Sequence, residues 1–238
     1  MNAFILFIAI SVPFNLSIFG QALKETITDI DGNVYHTVNI GKQVWMKENL
    51  QVTHYRNGDS IPNVKYSQAW VDLFNSETGA YCTYYNSEYN NKIYGVLYNC
   101  YIVKEFSHLC PSGWHIPTDE EWSTLANFLG GDSIAGGKLK EKSTTHWNSP
   151  NTGATNETGF TALPGGFRSL GFFEDLGDNG SWWSSTKDNS HSGLWLQKPY
   201  DRYWYRYLKS DKKELGRSRT TLQDGFSVRC IKDSIDIR

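Results

Sequence analysis

Cys110-Pro-Ser-Gly-Trp-His-Ile-Pro-Thr-Asp-Glu-Glu-Trp122 is the stretch of this sequence that decides the fold. Pro117 ends any earlier helix, and Thr118 with Glu121 three residues later has the spacing of a helix-starting capping box. The acidic residues of this segment suit the positive end of a helix dipole. The pattern therefore predicts a helix over Thr118–Leu129.

The apolar residues of this helix recur at spacings of three, four and seven, which places them on one face: Trp122, Leu125, Ala126 and Leu129. Gly130-Gly131 then supplies a C-terminal stop. Asp119, Glu120 and Glu121 are also open to interpretation as a paired-carboxylate site for glycoside hydrolysis. Because capping and the dipole explain all three, we favour a structural role for them.

The N-terminus has the pattern of an export signal. Ala3–Phe19 is almost wholly apolar, and the first charged side chain is Lys24. The run is shorter than the ~20 residues of a membrane span, and Gly20-Gln21-Ala22 fits a small-x-small cleavage site. We predict a signal peptide over residues 1–22, with an uncleaved anchor as the alternative. The mature protein is then secreted or at the cell surface and spans no membrane.

Composition narrows the class of protein. Aromatic residues make up 15% of the chain, with nine Trp and fourteen Tyr beside only two Met, which favours strands and irregular loops over long helices. The formal net charge is −2 and the basic residues are scattered. The chain therefore lacks the electrostatic footprint of a nucleic-acid-binding protein.

Turn signals divide the rest of the chain into short elements within a single domain, residues 23–238. An N-terminal β-meander covers residues 23–50, because Asp31-Gly32 and Gly41-Lys42 are hairpin turn pairs between alternating strands. A short helix is predicted near Tyr66–Phe74, and Gly136-Gly137 is predicted as loop.

The core, residues 80–233, ends in a series of predicted strands: Phe160–Leu163, Ser181–Ser185, Gly193–Gln197, Tyr203–Lys209 and Gly225–Ile231. Two connections, 164–180 and 210–224, are longer than ordinary ones. Long loops on a small sheet are where binding sites usually lie.

The four cysteines, Cys82, Cys100, Cys110 and Cys230, are candidates for disulfide bonds if the protein is exported. Three pairings are open, and none of the cysteines forms the close pair that a zinc site requires. A bridge from Cys110 to Cys230 would close about 120 residues and contribute ~4 to 5 kcal/mol by chain entropy.

Six ordered motifs resemble the Fibrobacter succinogenes major paralogous domain family, which is itself related to the sulfatase-modifying (formylglycine-generating) enzymes and the C-type-lectin-like fold. They are Gly41–Leu50, Tyr94–Asn99, Cys110–Trp122, Leu163–Arg168, Trp182–Thr186 and Gly225–Cys230. The resemblance implies an α+β domain with a small twisted antiparallel sheet, few helices and long loops. The family pattern does not require Cys100, so one of Cys82 and Cys100 is expected to be a free thiol.

The resemblance does not carry over the oxidase chemistry of the formylglycine-generating enzymes. That activity needs a redox-active cysteine pair after the Gly-Gly-Phe-Arg segment, and Gly166–Arg229 contains no cysteine. Without the sulfur ligand the reaction cannot run. The histidines also lack metal-site spacing such as H-E-x-x-H. We therefore expect no catalytic residues.

The segment Tyr200–Tyr207 alternates, so that Arg202, Trp204 and Arg206 share one face and Tyr203, Tyr205 and Tyr207 the other. Sugars stack on aromatic rings and bond to guanidinium groups, although both faces are also compatible with packing against loops. The predicted ligand-binding set is Arg168, Trp195, Arg202, Tyr203, Trp204, Tyr205 and Arg206. A lectin-like fold allows calcium, for which Asp175, Asp178 and Asn179 are candidate ligands, although their spacing is not that of an EF-hand.

The favoured function is an exported, non-catalytic recognition module that binds glycan or a surface protein through its long loops. The alternatives are a structural or assembly component of the envelope and, less favoured, an enzyme acting on polysaccharide. A cleft with two opposed carboxylates would favour the enzyme.

Overall fold

The computed structural model describes residues 25–104, 108–189, 201–220 and 223–234. The predicted signal peptide, residues 1–22, and the predicted strand Gly193–Gln197 lie outside the described residues. None of the described helices is long and apolar enough to cross a lipid bilayer.

The described strands are β1 (Thr26–Thr28), β2 (Val34–Ile40), β3 (Gln43–Met46), β4 (Tyr81–Cys82), β5 (Leu97–Asn99), β6 (Trp114–His115), β7 (Phe167–Ser169), β8 (Phe172–Glu174), β9 (Asn179–Lys187), β10 (Tyr203–Lys209), β11 (Gly216–Thr220), β12 (Gly225–Phe226) and β13 (Ile231–Lys232). The helices are α1 (Ser67–Ser76), α2 (Glu88–Tyr94), α3 (Cys100–Lys104), α4 (Asp119–Phe128) and α5 (Asp132–Leu139), with a 3-10 turn at Tyr84–Asn86.

The strands form three sheets rather than the single small sheet that the sequence predicts. Their orders are β1-β2-β3-β13-β6, β11-β10-β9 and β4-β5-β12-β7-β8, and the neighbouring strands pair antiparallel. The predicted α+β class is confirmed at this level: antiparallel sheets with few, short helices.

The N-terminal meander is confirmed, and the last described strand, β13, joins the same sheet between β3 and β6. Ile231 of β13 lies opposite Trp45 of β3 and His115 of β6. The beginning and the end of the described domain therefore belong to one sheet, with the remaining elements between them in sequence.

The predicted helix Thr118–Leu129 is confirmed as α4, and so is its capping box. The Thr118 hydroxyl accepts from the Glu121 amide at 3.1 Å, and a Glu121 carboxylate oxygen accepts from the Thr118 amide at 2.8 Å. The apolar face of α4 packs into a cluster that contains Trp45 and Trp182. Trp122 lies 4.7 Å from Trp45, measured between ring centroids.

The prediction that Gly136-Gly137 is loop is wrong, because both glycines lie inside α5. A Cβ on Gly136 would lie 2.2 Å from the carbonyl oxygen of Glu214, and one on Gly137 would lie 2.3 Å from that of Gly153. The glycines are therefore required by close backbone contact and do not interrupt the helix.

Two strand predictions also need correction. Phe160–Leu163 forms no strand and makes only a single bridge, between Ala162 and Lys140. The predicted strand Gly225–Ile231 is split into β12 and β13, which pair with different sheets. The predicted strands at Ser181–Ser185 and Tyr203–Lys209 are confirmed within β9 and as β10, and the helix near Tyr66–Phe74 is confirmed as α1.

One disulfide bond joins Cys110 to Cys230, across a sequence separation of 120 residues. Cys82 and Cys100 are free thiols in the interior, so the inclusion of both in the disulfide set is wrong. Burial raises the pKa of the Cys82 thiol to about 12, opposed by the nearby Arg168 guanidinium. A thiol with so high a pKa is a poor nucleophile at neutral pH.

Candidate functional site

Strand β10 carries most of the predicted ligand-binding residues, and its two faces have different surroundings. It is the central strand of its sheet, between β9 and β11, and its register with β9 shifts between Tyr203 and Tyr205. Trp204 contacts arginines of β11, whereas Tyr205 packs on Phe226 at 4.5 Å between centroids. The predicted alternation is therefore present, and each face has to be considered separately.

The face that carries Arg206 is part of the interior. The Arg206 side chain is fully buried and donates to Asp119, Asp132 and Ser123. The nitrogens of Arg206 are therefore bonded within the protein, and its predicted contact with a ligand stays a prediction.

Trp204, on the same face, is half-buried and covered by charge. The guanidinium of Arg217 lies 3.4 Å from the centre of its ring, which is a cation–π contact. Arg202 is directed to the buried carboxylate of Asp188, with Nε 3.5 Å from Oδ2. Neither side chain presents an open surface for a sugar ring.

Of three other predicted residues, two are buried and one lies outside the described residues. Tyr203 is buried in the main core cluster, and Arg168 is buried between the rings of Trp70 and Phe173. Both side chains lie in the interior, and their predicted contact with a ligand stays a prediction. Trp195 lies outside the described residues.

The other face of β10 opens on a cavity of about 270 Å³, which we call the tyrosine cleft. Its walls are Phe167, Asp175, Asn179, Ser181, Tyr205, Tyr207, Lys209, Ser218, Asp224 and Phe226. Of the predicted ligand-binding residues that the structure describes, Tyr205 alone lines this cleft. The two segments predicted as long connections, 164–180 and 210–224, border it, but they contain the strands β7, β8 and β11.

Two tyrosine rings form one wall of the cleft. The ring centroids of Tyr205 and Tyr207 are 5.9 Å apart, with 40° between the ring planes. Tyr207 lies over Gly216 on β11, where a Cβ would come within 2.2 Å of the ring, so only glycine leaves room for it. Burial raises the pKa of Tyr205, and its hydroxyl is hydrogen-bonded to Ser218.

Asp224 is a polar group of the cleft whose carboxyl is hydrogen-bonded within the protein. Burial raises the pKa of its carboxyl, while hydrogen bonds with Thr220 and Ser169 oppose this shift. Asp175 and Lys209 are exposed at the same cleft. The cleft thus combines aromatic surface with a half-buried carboxyl, an exposed carboxylate and an amine.

Two of the three calcium candidates, Asp178 and Asn179, use their side-chain oxygens in hydrogen bonds within the protein. Both carboxylate oxygens of Asp178 accept protein hydrogen bonds, from Asn148 and from the Ser210 hydroxyl. The side-chain oxygen of Asn179 accepts from Ser181 at 2.8 Å. Among the described residues there is no group of three or more His, Cys, Asp or Glu side chains that could hold a metal ion.

A comparison with known protein families identifies the family of this chain. The model of the Fibrobacter succinogenes major domain matches residues 38–232. The chain belongs to this family. No curated protein and no solved structure matches it.

The motifs by which the chain resembles the Fibrobacter succinogenes major domain family meet at Asn49. Its side-chain oxygen accepts from Trp182 Nε1 at 2.8 Å and from Arg229 Nη2 at 2.9 Å. Its amide nitrogen donates to the Tyr94 carbonyl and to the Ser227 hydroxyl. Four of the six motifs are therefore joined by one buried amide, which gives them a structural role.

Sequence reasoning missed four residues of the cleft that bear on its chemistry: Asp175 as a cleft carboxylate, Tyr207, Lys209 and Asp224. Tyr207 had a usable signal, because it alternates with Tyr205 on the same strand. Asp224 had none, since its place in the cleft depends on how β11 and β12 are arranged in space.

Proposed function

We propose that this protein is an exported, non-catalytic recognition module that binds a glycan in the tyrosine cleft. The observation that carries the proposal is the pair of rings at Tyr205 and Tyr207, side by side in a concave site with polar groups around them. Concave sites with aromatic walls and a few fixed polar groups are typical of small-ligand binding.

The cleft matches the surface of a sugar. A pyranose ring has apolar C–H faces that pack on aromatic rings and a rim of hydroxyls that need both donors and acceptors. Tyr205 and Tyr207 supply the rings, while Lys209 donates and Asp175 accepts. Asp224 adds a second carboxyl group as an acceptor, and burial raises the pKa of this group.

We also propose that the fold is of the C-type-lectin-like or sulfatase-modifying-factor-like kind. The supporting feature is the return of the chain to its first sheet, where β13 lies between β3 and β6. The disulfide from Cys110 to Cys230 fixes that return covalently.

Export is supported by the apolar segment Ala3–Phe19 and by the disulfide bond, which is typical of oxidising compartments. We propose that residues 1–22 are removed and that the mature protein acts outside the cell or at its surface.

A glycan array followed by calorimetry on the mature protein, residues 23–238, tests the proposal. With a glycan identified on the array, Tyr207→Ala is expected to weaken binding at least about tenfold, because it removes one stacking ring. The matched control is Tyr66→Ala, since Tyr66 is 81% exposed and lies outside the cleft walls. A blank array, or equal losses for both variants, would contradict the proposal.

An enzyme acting on polysaccharide is the second candidate, because Asp175 and Asp224 line the same cleft. Paired carboxylates, one of them with a raised pKa, are the catalytic groups of glycosidases. Release of reducing ends from the bound glycan, abolished by Asp224→Asn with binding retained, would support the enzyme over the recognition module.

A further inference from the structure

Among the described residues three arginines are buried, and they differ in the number of acceptor atoms that they reach. Arg206 donates to four: a carboxylate oxygen and the carbonyl of Asp119, a carboxylate oxygen of Asp132, and the Ser123 hydroxyl. Arg168 donates to three backbone carbonyls, one from each nitrogen. Arg229 reaches only two acceptor atoms.

Those two atoms are the side-chain oxygen of Asn49 and the carbonyl of Phe160. Nε and Nη2 of Arg229 share the Asn49 oxygen at 3.1 and 2.9 Å, and Nη1 donates to Phe160 at 2.6 Å. A guanidinium has five N–H groups. One hydrogen on Nη1 and one on Nη2 therefore have no acceptor among the described residues.

The charge of Arg229 faces aromatic rings rather than a carboxylate, since its guanidinium carbon lies 4.2 Å from the centre of the Phe160 ring. Among the described residues, no carboxylate lies within ion-pair distance of its guanidinium, whereas Arg206 has both Asp119 and Asp132. Burial lowers the pKa of Arg229 to about 9, and Glu48 opposes this shift from a distance. The group is still cationic at neutral pH, and a buried cation is ordinarily paired.

A pocket of about 210 Å³ lies beside this arginine. It is lined by Lys47, Glu48, Asn49, Ile93, Thr161, Leu163 and Arg229. Lys47 adds a second cation that has no carboxylate at ion-pair distance in the described chain. The one acid among these lining residues, Glu48, is engaged elsewhere. One of its carboxylate oxygens accepts from the His36 amide at 2.8 Å, and the other lies 2.9 Å from Nδ1 of the His36 ring.

We propose that this pocket is a binding site for a small carboxylate ligand, held by Arg229 and Lys47. A carboxylate accepts N–H bonds from the terminal nitrogens of an arginine, and Arg229 has one unused hydrogen on each of these nitrogens. The aliphatic side chains of Ile93 and Leu163 line the same pocket and offer apolar surface to the remainder of the ligand. The site is separate from the tyrosine cleft and does not depend on the proposed glycan binding.

The test is saturable thermal stabilisation of the full mature protein, confirmed by calorimetry. The probes are sodium acetate, sodium D-glucuronate, sodium phosphate and sodium chloride at matched ionic strength. The two carboxylates are expected to raise the melting temperature saturably, and acetate against glucuronate distinguishes a free acid from a sugar acid. An equal rise with chloride, or a stronger saturable rise with phosphate, would overturn the assignment.

Substitution of Lys47 tests whether the ligand binds in this pocket. The Lys47 side chain is half-buried at the pocket wall, so its removal leaves no fully buried group without a partner. Lys47→Met is expected to weaken carboxylate binding several-fold, while the matched Lys42→Met, at an exposed lysine outside this pocket, leaves it unchanged. Equal dissociation constants for Lys47→Met and the parent would sink the proposal. A blank glycan array does not bear on this outcome.

Discussion

Nη2 of Arg206, on β10, donates to a carboxylate oxygen of Asp119 at 3.0 Å, in the first turn of α4. The other carboxylate oxygen of Asp119 lies 2.8 Å from Nη2 of Arg217 on β11. One carboxylate thus joins helix α4 to two strands of the three-stranded sheet. Of its two arginine partners, Arg206 is fully buried.

Asp119→Asn is expected to destabilise the protein by about 3 kcal/mol, because it removes one of the two carboxylate charges that pair with the buried Arg206 guanidinium and leaves only that of the exposed Asp132. The free energy of unfolding in urea measures this. Glu120→Gln is the matched control in the same helical turn, where the side chain is exposed and the change is expected to stay within about 0.5 kcal/mol. Equal effects of the two substitutions would show that the Asp119 pair contributes nothing beyond the helix dipole.

The cysteine assignment predicts a labelling pattern. In denaturant without reductant, an alkylating reagent is expected to add two groups, at Cys82 and Cys100, and with reductant four. Mass spectrometry counts them. Reduction should also lower the free energy of unfolding by ~4 to 5 kcal/mol, the chain-entropy contribution of a loop this long. Four labels without reductant would contradict the bridge.

His115 is expected to make stability depend on pH. Its ring nitrogens lie 2.9 Å from Glu121 and 2.6 Å from Asp233. The bond to Glu121, and then that to Asp233, raise the pKa of His115 above its ordinary 6.5, although burial opposes them. A raised histidine pKa stabilises the fold below 6.5, and this contribution is lost as pH rises through the higher folded value.

Urea melts over a pH series measure this loss, and His115→Gln should flatten the alkaline side of the profile. On the acid side, burial raises the pKa of Glu121, but hydrogen bonds from His115 and Thr118 outweigh it and lower the value below 4.5. The Glu121 contribution is therefore present above that pH and fades as pH falls through the lower folded value. Identical profiles for the parent and His115→Gln would refute the assignment.

Gly136→Ala is expected to destabilise the protein by more than about 1 kcal/mol, as overpacking of a close contact does. Glycine to alanine in a helix ordinarily stabilises by about that amount, so the sign is reversed here. The control is Gly165→Ala, where the new Cβ would lie 3.3 Å from Tyr94 Cβ and 3.8 Å from the Ser227 hydroxyl. Thermal melts compare the two, and a more stable Gly136→Ala protein would rule out the tight contact with Glu214.

Local signals predicted the elements that depend on neighbouring residues. The capping box of α4 and the turns of the meander involve residues within a few positions of each other, so the pattern contains the cause. Gly136 and Gly137 were misread because their reason is a contact with Glu214 and Gly153, which the sequence does not place nearby. The split between β12 and β13 likewise follows from pairing with two distant sheets.

The candidate site was predicted only in part for the same reason. Alternation along β10 separated the faces that carry Trp204 and Tyr205, but nothing in the sequence says which face is buried. Arg206 is interior because Asp119 is opposite it, 87 residues away in the chain. Tyr205 lies at a cleft whose other walls include Ser218 and Asp224, which come from segments whose positions depend on tertiary packing.

The bridge between Cys110 and Cys230 has a consequence for cutting the chain. Every wall residue of the tyrosine cleft lies between these two positions in sequence, so the cleft is contained in a covalent ring. After a single break of the backbone within this ring, the two fragments stay joined by the disulfide bond. A protease that nicks the molecule once would therefore leave the cleft with all of its parts on one molecule.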